Sequence, residues 1–211
     1  MTDNINKILE LLPDMYPDAR PELIYNNAFE LLIAAMLSAQ CTDKRVNIVT
    51  KKLFELYPSP YDYIRLDKDE LEQLIMPCGL YHTKAKNILA ACEMLVDKFD
   101  GQVPANRDDL IKLPGVGRKV ANVVISNAYS VPAIAVDTHV FRVANRLGLA
   151  DANTPEKTEK QLMDNIPIEL WSIAHHWLIF HGRRCCKAQK PMCSECALAD
   201  YCKSYNQTDK K

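Results

Sequence analysis

Glycine and long apolar runs are both scarce in this chain. Its 211 residues include only six glycines, so a stretch that places two of them close together stands out. The longest apolar run, LLIAAMLSA at 31–39, has nine residues, whereas roughly 18 are needed to span a bilayer. The opening MTDNINKILE lacks the basic start and apolar core of a signal peptide. We therefore expect a cytoplasmic protein with no membrane partner.

An excess of charge of either sign is also missing. Lysine and arginine number 26 against 27 acidic residues, so the formal net charge is −1 and predicts no anionic partner. The distribution is uneven, because residues 1–30 carry six acids and two bases, whereas residues 181–211 carry seven bases and three acids. A basic end on an acidic body is compatible with a nucleic-acid footprint but does not require one.

Clean alternation of apolar and polar residues, the pattern of half-buried strands, does not occur. Apolar residues recur instead every three or four positions, and the segments 30–39 and 119–128 are apolar nearly all round, which predicts core helices. We predict an all-α fold of about ten helices. Loops are expected near 57–61, 100–106, 129–137 and 148–154.

Local signals refine this prediction at three places. Asp67 with Glu70 resembles a capping box, and Thr154 precedes a first-turn proline at Pro155. The short apolar run AIAV at 133–136 follows a proline and predicts a buried connection rather than a strand.

The two closely spaced glycines, Gly115 and Gly117, lie in LPGVGRKVANVV at 113–124. Helical patterns before and after them predict a helix–hairpin–helix, and glycine permits a turn too tight for other residues. No strand leads in and no Gly-Lys-Ser/Thr follows, which excludes a Rossmann motif and a P-loop. With Arg118, a hairpin that feeds a helix N-terminus can bind a DNA phosphate. A plain turn between core helices is the alternative.

Lys119 is placed in the first turn of the following helix. The helix dipole disfavours an ammonium there, and the neighbouring Arg118 adds a second cation. Both effects favour the neutral amine, which is the nucleophilic form. Lys119 is therefore a candidate catalytic residue, although lysines in a first turn are also common without a function.

Eight cysteines in a chain predicted to be cytoplasmic argue against a disulfide framework. Four of them, read as C-x6-C-x2-C-x5-C, are Cys186, Cys193, Cys196 and Cys202. Tetrahedral zinc and a 4Fe–4S cluster both use four thiolates. Only one C-x2-C occurs, which favours the cluster over a pair of zinc knuckles. Cys185 is an alternative ligand to Cys186. The remaining three are expected to be plain core or near-surface residues: Cys41, Cys78 and Cys92.

Four motifs in the same order resemble the endonuclease III family of helix–hairpin–helix DNA glycosylases. They are LSAQCTD at 37–43, LPGVGRK at 113–119, VDTH at 136–139 and the four-cysteine pattern. The resemblance extends over nearly the whole chain.

This resemblance implies two helical domains and a repair activity. Residues 22–132 would form a six-helix barrel with the hairpin, and 1–21 with 133–211 would form a domain with a 4Fe–4S cluster. The protein would excise oxidised pyrimidines from double-stranded DNA and cleave 3′ to the abasic site by β-elimination. We expect a monomer that associates with the nucleoid through DNA.

The resemblance also implies roles for single residues. Lys119 matches the catalytic lysine and Asp137 the catalytic aspartate, for which helix capping is the alternative role. Gln40 and Leu80 match residues that enter the duplex when a nucleotide is extruded. Their alternatives are a neighbour of a helix C-cap and an ordinary core leucine.

Further contacts to DNA are predicted around these residues. His139 would line the pocket or contact a phosphate, although a packed, hydrogen-bonded histidine is the alternative. Lys187 and Lys190 fall between the first two cluster cysteines and would face the DNA backbone. Met192 stands where the family often has an arginine, which predicts strongly salt-sensitive binding. The late histidines are assigned to core or surface: His175, His176 and His181.

Three rival functions remain open at this point. A monofunctional adenine-mismatch glycosylase shares the fold and the cluster but lacks a lysine at position 119. A non-catalytic DNA-damage-binding iron–sulfur protein would need neither Lys119 nor Asp137. A zinc-stapled DNA-binding protein would use the same four cysteines.

Overall fold

A computed structural model describes residues 2–208, so Asp209, Lys210 and Lys211 of the basic C-terminal segment lie outside the described residues. Within that range the chain forms twelve α-helices and four short 3₁₀ helices. The α-helices are α1 (Thr2–Met15), α2 (Ala28–Leu37), α3 (Asp43–Leu56), α4 (Pro60–Tyr63), α5 (Lys68–Ile75), α6 (Tyr81–Phe99), α7 (Arg107–Leu110), α8 (Arg118–Tyr129), α9 (Thr138–Leu147), α10 (Pro155–Asn165), α11 (Trp171–Arg184) and α12 (Lys203–Thr208). The 3₁₀ helices are Met76–Cys78, Ile168–Leu170, Cys193–Glu195 and Ala199–Tyr201.

The predicted all-α fold is confirmed, since residues 2–208 contain no strand. The run 133–136 is a buried connection between α8 and α9, as predicted. The number of helices exceeds ten because α4 and α7 are single turns. No helix among the described residues is both long and apolar enough to cross a membrane.

Two details of the sequence prediction are wrong. The loop expected at 57–61 contains the start of α4, because Pro60 begins a helix and Oδ2 of Asp62 accepts from the Ser59 N–H at 2.9 Å. Asp67 does cap α5, but it accepts from Asp69 N. Glu70 accepts instead from the Tyr57 hydroxyl at 2.6 Å, so the two residues do not form the expected capping box.

Residues 21–131 form one compact unit with α2 at its centre. Nine of the ten residues of α2 are buried, and the helix packs against α3, α6 and α8. Burial on every side explains why the sequence of α2 shows no polar face. Leu32 is fully buried, and removing such a side chain from water contributes about 2 kcal/mol to stability.

The described residues of 1–20 and 132–211 form a second compact unit. Its core joins α1 to α9, α10 and α11, and the pair α9 and α11 packs most extensively. The apolar face of α9 is completely buried through Val140, Val143, Ala144 and Leu147. Its opposite face carries arginines toward the cysteine-rich segment.

Candidate functional site

The turn before α8 requires a glycine at position 115. Gly115 adopts φ +78°, in the left-handed region that favours glycine. A Cβ there would lie 2.7 Å from Cβ of Asn87 and 2.9 Å from its Nδ2. The turn closes through a 3.0 Å bond from Val116 N to Leu113 O, and Val116 is buried. Backbone geometry and the close approach of α6 both select glycine here.

Gly117 plays a different part from the one predicted. Its φ of −89° and ψ of 176° are extended backbone that any residue adopts, and a Cβ would meet no atom within 4 Å. The expectation that both glycines tighten the hairpin is therefore wrong for Gly117. This residue is the N-cap of α8 and offers no side chain to its first N–H groups. The helix N-terminus thus presents main-chain donors suited to a phosphate oxygen.

Lys119 and Arg118 occupy the first turn of α8, and both side chains are exposed. No acidic residue stands in that turn. Lys119 therefore exposes its side chain in the same turn that presents the N-terminal donors of α8, where a ligand can reach it.

Asp137 is the N-cap of α9, which lies in the compact unit that includes residues 132–208. Its Oδ1 accepts from Val140 N at 2.7 Å, so the capping role considered for this residue is present. The bond uses one carboxylate oxygen and fixes the orientation of the other. Lys119 and Asp137 belong to different compact units of the chain.

Gln40 and Leu80 both adopt left-handed backbone conformations, with φ of +53° and +48°. Such values are uncommon for residues other than glycine and cost free energy. Leu80 is 56% exposed, so it is not the core leucine considered as an alternative. Gln40 is exposed in the turn after α2, two residues beyond the C-cap Ser38. An exposed apolar side chain on a strained turn is better explained by contact with an external binding partner than by packing within the protein.

The four cysteines of the C-terminal pattern come together around one small cavity of about 20 Å³. Its cysteine lining consists of Cys185, Cys186, Cys193, Cys196 and Cys202. His181 lines it too, and the ligand atoms of His181, Cys185 and Cys196 lie within 4.8 Å of one another. The donor set of five thiols and one imidazole fits a thiophilic metal centre.

Burial and mutual proximity determine the electrostatics of this cysteine site. Burial and the neighbouring thiols raise the pKa of Cys185 to about 12, and the pKa values of Cys193 and Cys202 are raised by burial first and by neighbouring thiols as well. Without a positive charge, several thiolates so close together repel one another. A bound metal supplies that charge and stabilises the deprotonated sulfurs.

His181 was assigned to core or surface, and the structure places it in the buried wall of the cysteine site. Its Nδ1 lies 2.8 Å from the Tyr16 hydroxyl, and its Nε2 lies 3.9 Å from Sγ of Cys196. Burial lowers the pKa of His181 to about 4, so the ring is neutral at physiological pH. Sequence spacing gave no signal for these contacts because Tyr16, which follows α1, and Cys196, which lies in the cysteine-rich segment, both meet His181 only in the folded chain.

Two arginines of α9 that the sequence analysis did not single out hold the cysteine loop. Arg142 donates to Gly182 O at 2.9 Å and to Cys186 O at 3.1 Å. Arg146 donates to Lys187 O at 2.7 Å and to Ala188 O at 3.1 Å. The spacing of four residues, which puts both side chains on one helix face, was the available signal.

The remaining predicted DNA contacts lie on the same side of α9 or in the loop itself. Arg142 donates to Nδ1 of His139 at 3.2 Å, so this half-buried histidine is hydrogen-bonded within the protein. Lys187 and Lys190 are exposed, and Lys190 adopts φ +49°. The arginine bonds therefore fix a loop whose lysines point to solvent.

The chain is similar in sequence to known DNA repair proteins. The family described as "HhH-GPD superfamily base excision DNA repair protein" matches residues 33–167. Endonuclease III of Bacillus subtilis (strain 168) is 52% identical over 204 residues, which cover 96% of this chain and 93% of that protein. The chain belongs to the endonuclease III family of the HhH-GPD superfamily.

Solved structures agree with this membership. A trapped endonuclease III–DNA covalent intermediate, in an estranged-adenine complex, is 53% identical with a TM-score of 0.94 and covers 99% of each chain. A thermostable thymine-DNA glycosylase has a TM-score of 0.88 at 21% identity over 97% of this chain and 98% of its own, which shows the fold alone. The resemblance drawn from the four motifs is thus confirmed, and the chain is a base excision DNA repair protein.

The two glycines of the hairpin give a matched test of this family's turn. Gly115→Ala should lower the free energy of unfolding by about 1–3 kcal/mol, because it adds both left-handed strain and a clash with Asn87. Gly117→Ala should change it by less than about 0.5 kcal/mol. Urea unfolding followed by circular dichroism measures both. Equal losses for the two variants would contradict the separate roles assigned here.

Proposed function

We propose that this protein is a bifunctional DNA glycosylase and AP lyase that removes oxidised pyrimidines from double-stranded DNA and cleaves 3′ to the resulting abasic site. The observation that carries the proposal is the exposed Lys119 in the first turn of α8, directly behind the glycine hairpin. A relative 53% identical to this chain has been solved as a covalent complex with DNA. A lysine amine at this position is the nucleophile that such a bond requires.

The chemistry divides between Lys119 and Asp137. The neutral amine of Lys119 attacks C1′ of the damaged nucleotide, and the bond from C1′ to the base breaks as the base leaves with the electron pair. The sugar ring then opens to an imine with Lys119, which acidifies the C2′ proton. Loss of that proton expels the 3′ phosphate by β-elimination. The carboxylate of Asp137 stabilises positive charge on the sugar and accepts a proton from the ammonium.

DNA is held by main-chain donors, and side chains are inserted into the duplex. The hairpin of Gly115 and Gly117, with Arg118, binds a backbone phosphate without reading sequence. The base must leave the stack before C1′ can be attacked. Leu80 then wedges the stack, and the Gln40 amide bonds the orphaned base on the opposite strand.

Further contacts to the backbone come from the second compact unit. Lys187 and Lys190 would face phosphates from the loop that the α9 arginines hold, and His139 would reach the same strand through its free ring edge. These lysines are few, so their phosphate contacts should add only modestly to the affinity, and that contribution should fall as the salt concentration rises.

The cysteine site would hold a 4Fe–4S cluster through Cys186, Cys193, Cys196 and Cys202. Such a cluster, bound by four thiolates, supplies structural cross-linking and electron exchange. The chain's own residues do the excision, while the cysteine ligands secure the loop that carries Lys187. Cys185 lies in the wall of the same cavity and is the alternative first ligand.

The proposed roles correspond to two domains of the chain. Residues 22–132 are the six-helix barrel that carries the hairpin, and 1–21 with 133–211 are the cluster domain. The protein acts as a monomer in the cytoplasm, associated with the nucleoid through DNA.

Removal of the nucleophile gives the first test of the proposed reaction. Lys119→Gln should reduce borohydride-trapped protein–DNA adduct on a thymine glycol duplex by about 10³-fold or more, because no amine remains to form the imine. Denaturing gels measure the adduct. Lys112→Gln removes an exposed lysine seven residues earlier and should trap like the wild type. Base release without any adduct from the wild type would favour a monofunctional glycosylase.

The aspartate can be tested without removing its cap. Asp137→Asn keeps a side-chain oxygen for Val140 N, so the free energy of unfolding should change by less than about 0.5 kcal/mol. Loss of the carboxylate charge should slow base release about 100-fold, measured under single turnover. Asp137→Ala removes cap and charge together and should also be less stable. Unchanged base release by Asp137→Asn would leave only the capping role.

Ligand assignment at the cysteine site can be settled by metal content. Cys196→Ser should lose the iron and acid-labile sulfide of the purified protein, because four thiolates are needed to hold the cluster. Cys185→Ser is the matched control and should retain both. Iron lost from Cys185→Ser but kept by Cys186→Ser would transfer the first ligand to Cys185. Zinc in place of iron in the wild type would contradict the cluster.

A further inference from the structure

A buried lysine connects the two turns that carry Gln40 and Leu80. Lys84 lies on α6, one helical turn after Leu80, and only 6% of it is exposed. Its Nζ donates to Leu37 O at 2.8 Å and to Cys78 O at 2.9 Å. No acidic group accepts from it in any bond found among the described residues.

Burying this ammonium costs free energy, which the structure recovers at main-chain carbonyls. Burial lowers the pKa of Lys84, whereas the neighbouring thiols of Cys78 and Cys41 act in the opposite direction. Leu37 is the last residue of α2, so its carbonyl lies at the negative end of the helix dipole. A cation is favoured there, and a carbonyl buried without a donor would be costly.

The two carbonyls lie just before the two strained residues. Leu37 precedes Gln40 by three residues, and Cys78 precedes Leu80 by two. Both turns are short, because α2 ends at Leu37 and the 3₁₀ helix ends at Cys78. Fixing the two carbonyls with one ammonium therefore fixes the spacing between the turns. The left-handed conformations of Gln40 and Leu80 require such support to persist.

We propose that Lys84 is a positioning residue for insertion into the duplex: it fastens the turns of Gln40 and Leu80 to each other so that both side chains enter DNA together. This role rests on the function proposed above and adds a residue that touches neither DNA nor the reacting sugar. Lys84 acts through the main chain of the two turns.

Insertion can be followed apart from the chemistry. A duplex with 2-aminopurine opposite a tetrahydrofuran abasic analogue reports unstacking of the orphan base, and the analogue cannot form an imine. In stopped-flow experiments, Lys84→Met should slow the fluorescence rise about tenfold, because two buried carbonyls lose their donor. Lys98→Met removes an exposed lysine at the far end of α6 and should match the wild type. Lys84→Gln replaces Lys84→Met if the latter does not fold.

A double-mutant cycle separates positioning from general weakening of the fold. If Lys84 acts through Gln40 and Leu80, adding Lys84→Met to the Gln40→Ala/Leu80→Ala variant should slow the rise by less than about twofold beyond that variant. Effects that multiply would overturn the proposal, as would a rate for Lys84→Met equal to that of the wild type.

The same experiment distinguishes this proposal from the proposed function. Lys119→Gln should keep the full fluorescence rise, because insertion precedes attack. A wild type without any rise would remove the proposed insertion, and the role of Lys84 with it. A wild-type rise that Lys84→Met leaves unchanged would remove only the role of Lys84.

Discussion

In the compact unit that includes residues 132–208, the packing of α9 against α11 determines where the Asp137 carboxylate and the cysteine loop lie. Val140, Val143 and Leu147 bury one face of α9 in the core. One end of the helix is capped by Asp137, and the other holds the cysteine loop through Arg146. Because ten helical residues form a rigid rod of about 15 Å, the carboxylate and the loop keep a constant separation. A single packed helix thus carries both the proposed catalytic carboxylate and the arginine that holds the cysteine loop.

In the unit of residues 21–131, strained turns lie next to a buried hydrogen-bonded lysine. Gln40 and Leu80 sit in conformations that their own side chains disfavour. Such conformations persist only where the surrounding structure determines them. Beneath these turns the buried ammonium of Lys84 donates to two main-chain carbonyls, which is the support that we propose for them. Strained turns and a buried contact beneath them therefore occur together in this unit.

Much of the candidate site was readable from local patterns. The hairpin, its following helix and the start of α9 after Asp137 depend on residues close in sequence, so glycine and capping signals predicted them. The prediction for Gly117 was wrong, because the two glycines of the hairpin look alike in sequence. Of this pair, only Gly115 has a positive φ. His181 gave no signal, because its contact with Cys196 joins α11 to a segment whose path depends on the loop between them.

The chain's helical periodicity, its four motifs and their order were enough to establish the all-α class and the family, and they nominated the candidate residues of the chemistry. These features are local, and local propensities act before any tertiary contact forms. Which arginines hold the cysteine loop and why a lysine is buried in α6 depended on folding. Each of these is a contact between segments distant in sequence, and its partner is chosen by packing geometry that no local pattern encodes.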